Sequence, residues 1–469
     1  MNVFLNNVGL TSQPTAAPSI PIHLVTEADW PAWQEKLLPT QRSWTDGHRF
    51  KGEGGEACLL PGPDGQLAMV LQGVGKGVRL WSLASLPAQL PAATYHLSDE
   101  SLSVDLLSQL ALGWLLGGYR YRGLPSKTPA PEVLLALPAG IDQQACLQQA
   151  SACALVRDLI TTPANLMGPE QLLAEAEGLA ERFGGTVSAV TGEALEQQFP
   201  LVHTVGKASS RPPQLITLNW QSPDAPADAL LVALVGKGVC FDTGGLDIKS
   251  RKSMYHMKND MGGAASVLGL AQMVMAAKLP IRLLVVIPAV ENAIAGNAMR
   301  PLDVIKSRSG QTVEIQDTDA EGRLILADAL HFAGEQQPQL LIDFATLTYS
   351  AFDALGGEIG VFLSNDDPLS DVLLQAATAT EDPLWRLPLW QDYAEQLESQ
   401  TADLLSCGES GVGDAIVAGL FLEKFVPNGL SWLHFDVPGW ITSDRPGRPK
   451  GGYESGLRAV FHLLRQRFG

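Results

Sequence analysis

The sequence predicts an α/β protein in two domains: a smaller amino-terminal α/β domain and a catalytic domain whose central mixed, largely parallel sheet is flanked by helices. Three observations predict it. At 469 residues the chain exceeds what one ordinary hydrophobic core organises. Apolar residues at 46% and charged residues at 17% are the balance of a globular chain with ample core. From Leu230 onwards, near-continuous apolar runs alternate with helical periodicities, the pattern of a parallel sheet covered on both faces.

Up to about Pro138 the chain reads as short strands and turns, such as the run from Leu67, with one helical stretch over Leu102 to Leu116. The GVGKG at Gly73 to Gly77 lacks the spacing and the following Ser or Thr of a phosphate-binding loop, so it is a turn. Residues 139–163 form a linking helix. Ile141, Ala145, Ala152, Leu155, Val156 and Leu159 fall at helical spacing, Gln148 breaks the stripe, and Pro163 ends it. Residues 164–469 make the second domain. Its strands begin at Leu230, Ile281, Thr312 and Gln339, and its helices at Gly262 and Arg323. In such sheets, ligands sit beyond the carboxyl ends of the strands.

A formal net charge of -18 disfavours nucleic acid and anionic membranes as partners. The start of the chain has neither a basic segment nor an apolar run of signal-peptide length, and no later run reaches a membrane span, so a cytoplasmic location is expected. Five cysteines without CxxC spacing argue against a disulfide framework or a zinc-thiolate site; they are expected to be buried free thiols.

Charged residues collect where predicted strands end. Lys237 and Asp242 follow the strand from Leu230, with Lys249 and Asp260 further along the same loop; Asp319, Glu321 and Arg323 follow the strand from Thr312. Singly, each would be a cap or a solvated turn, Arg323 satisfying Glu321 and Lys249 satisfying Asp247. Together they sit in apolar or Gly-rich surroundings where burial is costly unless charges are paired or metal-bound. Four carboxylates at one edge would raise one another's pKa, and two divalent ions would cancel them. Oxygen-rich coordination without histidine suits magnesium, manganese or zinc. A pair of such ions can clamp a hydrolytic transition state. The absence of HExxH and GxSxG leaves zincin and serine-hydrolase chemistry without their residues.

At these residues the chain resembles the leucyl aminopeptidase (cytosol aminopeptidase) family. The family's octapeptide is present as Asp317-Thr318-Asp319-Ala320-Glu321-Gly322-Arg323-Leu324, with Asp317 where Asn is usual; the GKG, FDTGG and MKNDMGGAA blocks precede it, and RDLITTPAN begins at Arg157. The resemblance implies removal of the first residue from peptides with a free amino end, two manganese or zinc ions per subunit, and a homohexamer. It implies that Asp242 and Glu321 face both metals, that Lys237 and Asp260 complete one site and that Asp319 completes the other. Lys249 would polarise the scissile carbonyl, and Arg323 would hold a bicarbonate acting as base. Met257, Asp317, Thr346, Leu347 and Tyr349 would line the substrate cleft. Tyr349 stands where the family has glycine, so it either narrows the pocket for the first side chain or packs into the core. Another two-metal hydrolase such as a phosphoesterase, or a paralogue with a structural role, are the alternative readings.

Overall fold

The computed structural model describes residues 3–5, 7–12, 19–99, 101–121, 123, 131–226, 228–408 and 411–469. Part of the opening segment, on which the reading of the chain start depends, lies outside them. The chain forms two compact units, Met1–Ala154 with Ser443–Lys450, and Leu155–Thr442 with Gly451–Gly469. The expected linking helix exists as Gln143–Thr161, but the boundary between units falls inside it, and a late segment joins the first unit. That segment is anchored there by Arg448, whose guanidinium lies 4.8 Å from the ring centroid of Trp81. A sequence cannot announce such a return, because the contact joins residues far apart in the chain.

The first unit holds a seven-stranded sheet, parallel through its middle and closed at each edge by an antiparallel pair. The predicted helix appears as Val104–Gly117, begun by Ser103, whose hydroxyl accepts from the Leu106 amide at 3.3 Å. Strand Leu67–Gly75 runs through the first three residues of GVGKG, which pair with the neighbouring strand, so only Lys76 and Gly77 form the expected turn.

In the second unit four parallel strands form the centre of a nine-stranded sheet, in the order Trp432–Asp436, Leu340–Ala345, Leu231–Gly236 and Arg282–Asn292. Antiparallel partners flank them on both sides, and Gly238–Asp242 adds a short parallel pairing at the far end of Arg282–Asn292. These central strands are buried almost throughout, as strands covered on both faces must be. Helices Gly262–Ala276 and Glu321–Glu335 pack on the sheet and are buried along most of their length, the first apolar nearly all round and the second carrying buried Glu321, Arg323 and Asp328. All five cysteines are buried and free, and among the described residues no helix is long and apolar enough to cross a membrane.

One expectation changes. The strand from Thr312 spans only Thr312–Glu314 and joins Val304–Lys306 and Leu404–Leu405 in a separate three-stranded sheet. Val313 and Ile315 are buried in the same core as the central strands, which is why the segment reads as one of them.

A polar knot lies inside the central sheet. Asp343 accepts from His434 Nδ1 at 2.6 Å and from Trp432 Nε1 at 2.7 Å, with all three side chains fully buried. Burial alone would discharge His434, but Asp343 outweighs it and holds its pKa up. Asp343→Ala would strand two buried donors, so it is expected to lower stability by about 3–5 kcal/mol. Urea denaturation checks this, and a loss below about 1 kcal/mol would contradict the arrangement.

Candidate metal centre

Every charged residue singled out in the sequence except Arg323 meets at the carboxyl ends of the central strands. Lys237 directly follows Leu231–Gly236, and its backbone is locked on both sides: its amide donates to Phe344 O at 2.9 Å and its carbonyl accepts from Ala264 N at 2.8 Å. Its buried ammonium therefore has a fixed origin. Nζ lies 2.7 Å from Asp260 Oδ1, 3.0 Å from Glu321 Oε1 and 2.8 Å from the Thr346 carbonyl. Lys249 Nζ lies 2.9 Å from Asp242 Oδ2 and 2.6 Å from Asp319 Oδ1. Lys249 is thus the partner of these two carboxylates and not of Asp247, which accepts from the Thr318 amide instead.

Two glycines make the convergence possible. Gly244 turns the loop with φ +87°, and a Cβ there would come within 3.0 Å of Asp319 Oδ1 and 2.5 Å of the Asp247 carbonyl. Gly322 lets the Glu321–Glu335 helix approach Lys237; a Cβ there would stand 2.8 Å from Nζ. Around them lie supports that sequence reasoning missed. Asn292 donates to Asp242 Oδ1 at 2.8 Å, and Thr318 donates to the Gly244 carbonyl at 2.6 Å, tying the two acidic loops together. Asp436 accepts from the amides of Leu347 and Thr348 at 2.9 and 3.1 Å, which fixes the turn carrying Thr346. Its position at the end of an apolar strand was the available signal.

The charges do not balance within the chain. Asp242, Asp260, Asp319 and Glu321 bring four negative charges, and Lys237 and Lys249 return two. Ligand oxygens of Asp242, Asp319 and Glu321 lie within 4.8 Å of one another. At that distance two like charges repel by roughly 3.5 kcal/mol if the effective dielectric is about 20. Burial followed by repulsion from Asp242 and Glu321 pushes Asp319 up to about 7, despite its contact with Lys249. Burial likewise raises Asp260 and Glu321, with Lys237 pulling each back. Burial would lower both lysines, but the surrounding carboxylates overcome it and hold both ammonium groups charged.

The residues fit a pair of divalent cations. Asp260 Oδ2 and Glu321 Oε2 are buried oxygens with no hydrogen-bond partner among the described residues, and they belong to the cluster with the surplus negative charge. Oxygen donors plus one amine form a set suited to manganese or zinc.

The remaining expected residues lie around this centre. Asp317 Oδ1 accepts from the Asp319 amide at 2.8 Å, shaping the acidic loop, and burial raises its pKa. Tyr349 is 50% exposed, so it is not a core residue. Its hydroxyl donates to the Ser253 carbonyl at 3.3 Å and stands 4.0 Å from Met257 Sδ, and Lys249 Nζ lies 5.4 Å from its ring centroid. Thr346 Oγ1 donates to Asp260 Oδ1 at 3.0 Å, and Leu347 packs beside Gly322. Arg323 points elsewhere. Its guanidinium pairs with Asp414 at 2.8 Å and not with Glu321.

A two-domain α/β chain with an acidic, lysine-bridged centre at the ends of its parallel strands is the architecture of a metal-dependent peptidase. The model of the cytosol aminopeptidase family, catalytic domain, matches residues 154–461, and that of the M17 aminopeptidase, N-terminal domain, matches residues 20–138. The chain belongs to the cytosol aminopeptidase family and is an aminopeptidase. A probable cytosol aminopeptidase of Syntrophotalea carbinolica is 40% identical over 401 residues, covering 82% of this chain and 78% of that protein. The crystal structure of cytosol aminopeptidase from Coxiella burnetii superposes with TM-score 0.93 at 40% identity, covering 98% of this chain and 99% of that one. The bottromycin maturation enzyme BotP in complex with Mn superposes with TM-score 0.86 at 30% identity, covering 97% and 100%.

Because cations must displace any proton on Asp319, metal binding is expected to weaken as pH falls through about 7. Thermal shift on adding manganese should be large above that pH and shrink below it. A shift that does not change across this range would contradict the assignment.

Proposed function

We propose that this chain is a two-metal, leucyl-type aminopeptidase that acts in the cytoplasm as a homohexamer, using manganese or zinc. The observation that carries the reading is the pair of partnerless buried oxygens, Asp260 Oδ2 and Glu321 Oε2, inside a cluster with two uncompensated negative charges. BotP, a structural relative recorded in complex with Mn, supports manganese. In functional terms, residues 1–138 form the amino-terminal domain, 139–163 the link and 164–469 the catalytic domain.

Asp242 and Glu321 would face both cations, Lys237 and Asp260 completing one position and Asp319 the other. When bound, the two ions supply Lewis-acid polarisation and a water acidic enough to attack near neutral pH. Lys237 must then be neutral, so the ammonium that now bridges Asp260 and Glu321 would release one proton to solvent as the cations bind. Lys249, released from Asp242 and Asp319, donates to the carbonyl oxygen of the first peptide bond and steadies the charge that grows there. Arg323 would hold a bicarbonate, beside which the proton of the attacking water would be received. Thr346 and Leu347 offer backbone to the substrate. Met257 and Tyr349 bound the space for the first side chain, and Asp317 holds the Asp319 loop.

Release from leucine p-nitroanilide, from an N-acetylated peptide and from a model phosphodiester tests the reading. Only the free-amine substrate is expected to react, and phosphodiester cleavage would instead indicate a phosphoesterase. Lys249→Ala should cut kcat by about 100-fold or more with metal content retained. Asp260→Ala should lose metal, and the opposite pattern would exchange their roles. Tyr349→Gly opens space beside Met257, so the preference among Leu, Met, Phe and Ala substrates should shift towards the larger ones. An unchanged preference would remove Tyr349 from the pocket.

A further inference from the structure

The carboxylates of the centre are held by two kinds of donor. Lys237 and Lys249 hold them by charge, and those contacts end when cations bind. Neutral donors carry no charge to be displaced, and they fall into two sets with no member in common. In one, Thr346 Oγ1 donates to Asp260 Oδ1 at 3.0 Å, while the Thr346 carbonyl accepts from Lys237 Nζ at 2.8 Å. In the other, the Gly244 amide and Asn292 Nδ2 both donate to Asp242 Oδ1 at 2.8 Å, which leaves Asp242 Oδ2 facing Lys249.

Asn292 ends the strand Arg282–Asn292 opposite Asp242, and its side chain is buried. Its carbonyl accepts from the Thr243 amide at 3.1 Å and from the Thr243 hydroxyl at 2.8 Å, so its backbone is fixed too. Besides Asp242, its Nδ2 donates to the Thr318 carbonyl at 3.1 Å, on the peptide that leads into Asp319. Gly245, at φ +68°, keeps the space clear: a Cβ there would stand 3.0 Å from both Asn292 Oδ1 and Thr318 Oγ1. A primary amide suits the place, because a hydroxyl has one hydrogen for two acceptors and a carboxylate would add to the surplus charge. Asn292 thus sets the separation between Asp242 and the turn that carries Asp319. Neither of its bonds reaches Asp260 or Lys237, whose places are set by Thr346 and by strand backbone.

We propose that Asn292 is a positioning residue for one cation position alone, the one that Asp319 completes, and that Thr346 Oγ1 does the same for the position of Lys237 and Asp260. The two positions are then held by separable supports. The inference rests on the two-metal reading above.

The test titrates the metal-free, full-length protein with manganese and follows the EPR signal of the unbound ion, which gives the number bound and their affinities without any substrate. Wild type is expected to take up two ions. Asn292→Ala should hold one of them as wild type does and bind the other about 10–100-fold more weakly, the usual effect of losing a support behind a ligand. Asp319→Ala shows which ion is affected, because it leaves a single position. Adding Asn292→Ala to it should change the remaining affinity by less than about 2-fold, as for independent sites. Adding Thr346→Val instead should weaken that ion about 10-fold. Leucine p-nitroanilide release by Asn292→Ala should return as manganese is raised, with KM for the substrate unchanged. Asn292→Leu fills the space without donating and should repeat the titration if Ala disturbs folding, which thermal unfolding of the metal-free protein reports. The proposal is overturned if Asn292→Ala binds both ions as wild type does, if it weakens the ion left in Asp319→Ala, or if Thr346→Val leaves that ion unchanged. It is also overturned if neither Asn292 variant folds, since the residue would then serve the fold and not one position. Wild type that binds fewer than two ions removes the two-metal reading and this inference with it, whereas two ions bound equally well by wild type and Asn292→Ala remove this inference alone.

Discussion

Surplus negative charge in a buried place is the constraint on which this molecule is arranged. Four carboxylates are forced together at the ends of parallel strands, and the chain supplies only two ammonium groups against them. Buried surplus charge is costly, so the surroundings hold the charged groups in place through many contacts. Strand backbone clamps Lys237 from both sides, Asn292 and Thr318 tie the loops of Asp242 and Asp319 together, and Gly244 and Gly322 remove side chains that would hold the charged groups apart.

The same rigidity prepares the centre for chemistry. Groups that must bind cations or face developing charge work best when already fixed, because no reorganisation is then needed at the moment of reaction. Lys237 and Lys249 occupy the carboxylates in the present arrangement and hold the cluster together. Asp436 extends the framework to the substrate side by fixing the turn at Leu347 and Thr348. Arg323 belongs to a second, separate balance: its charge is matched by Asp414 on another helix, outside the carboxylate cluster.

Stability elsewhere relies on the same device of pairing what is buried. Arg157 is fully enclosed and donates to both carboxylate oxygens of Glu454 at 2.7 and 2.8 Å, across 297 residues of sequence. Asp343, His434 and Trp432 satisfy one another inside the central sheet. Asp328, raised to about 7 by burial, accepts from the amides of Leu201 and Arg308. Each is a polar group that the apolar core tolerates because its partner is in place.

The sequence by itself determined the fold class and, Arg323 apart, the membership of the charged cluster. Apolar runs of strand length and helical periodicity are local properties, and charged residues at the ends of apolar strands stand out because burial makes them improbable without a purpose. Only the tertiary structure decided who pairs with whom. Lys249 meets Asp242 and Asp319 and not nearby Asp247; Arg323 meets Asp414, 91 residues away; and Thr312–Glu314 joins a small sheet of its own although its apolar residues look like a central strand. Burial leaves a mark on composition, but the partner of a buried charge is set by where the chain returns in space, and residue spacing carries no record of that.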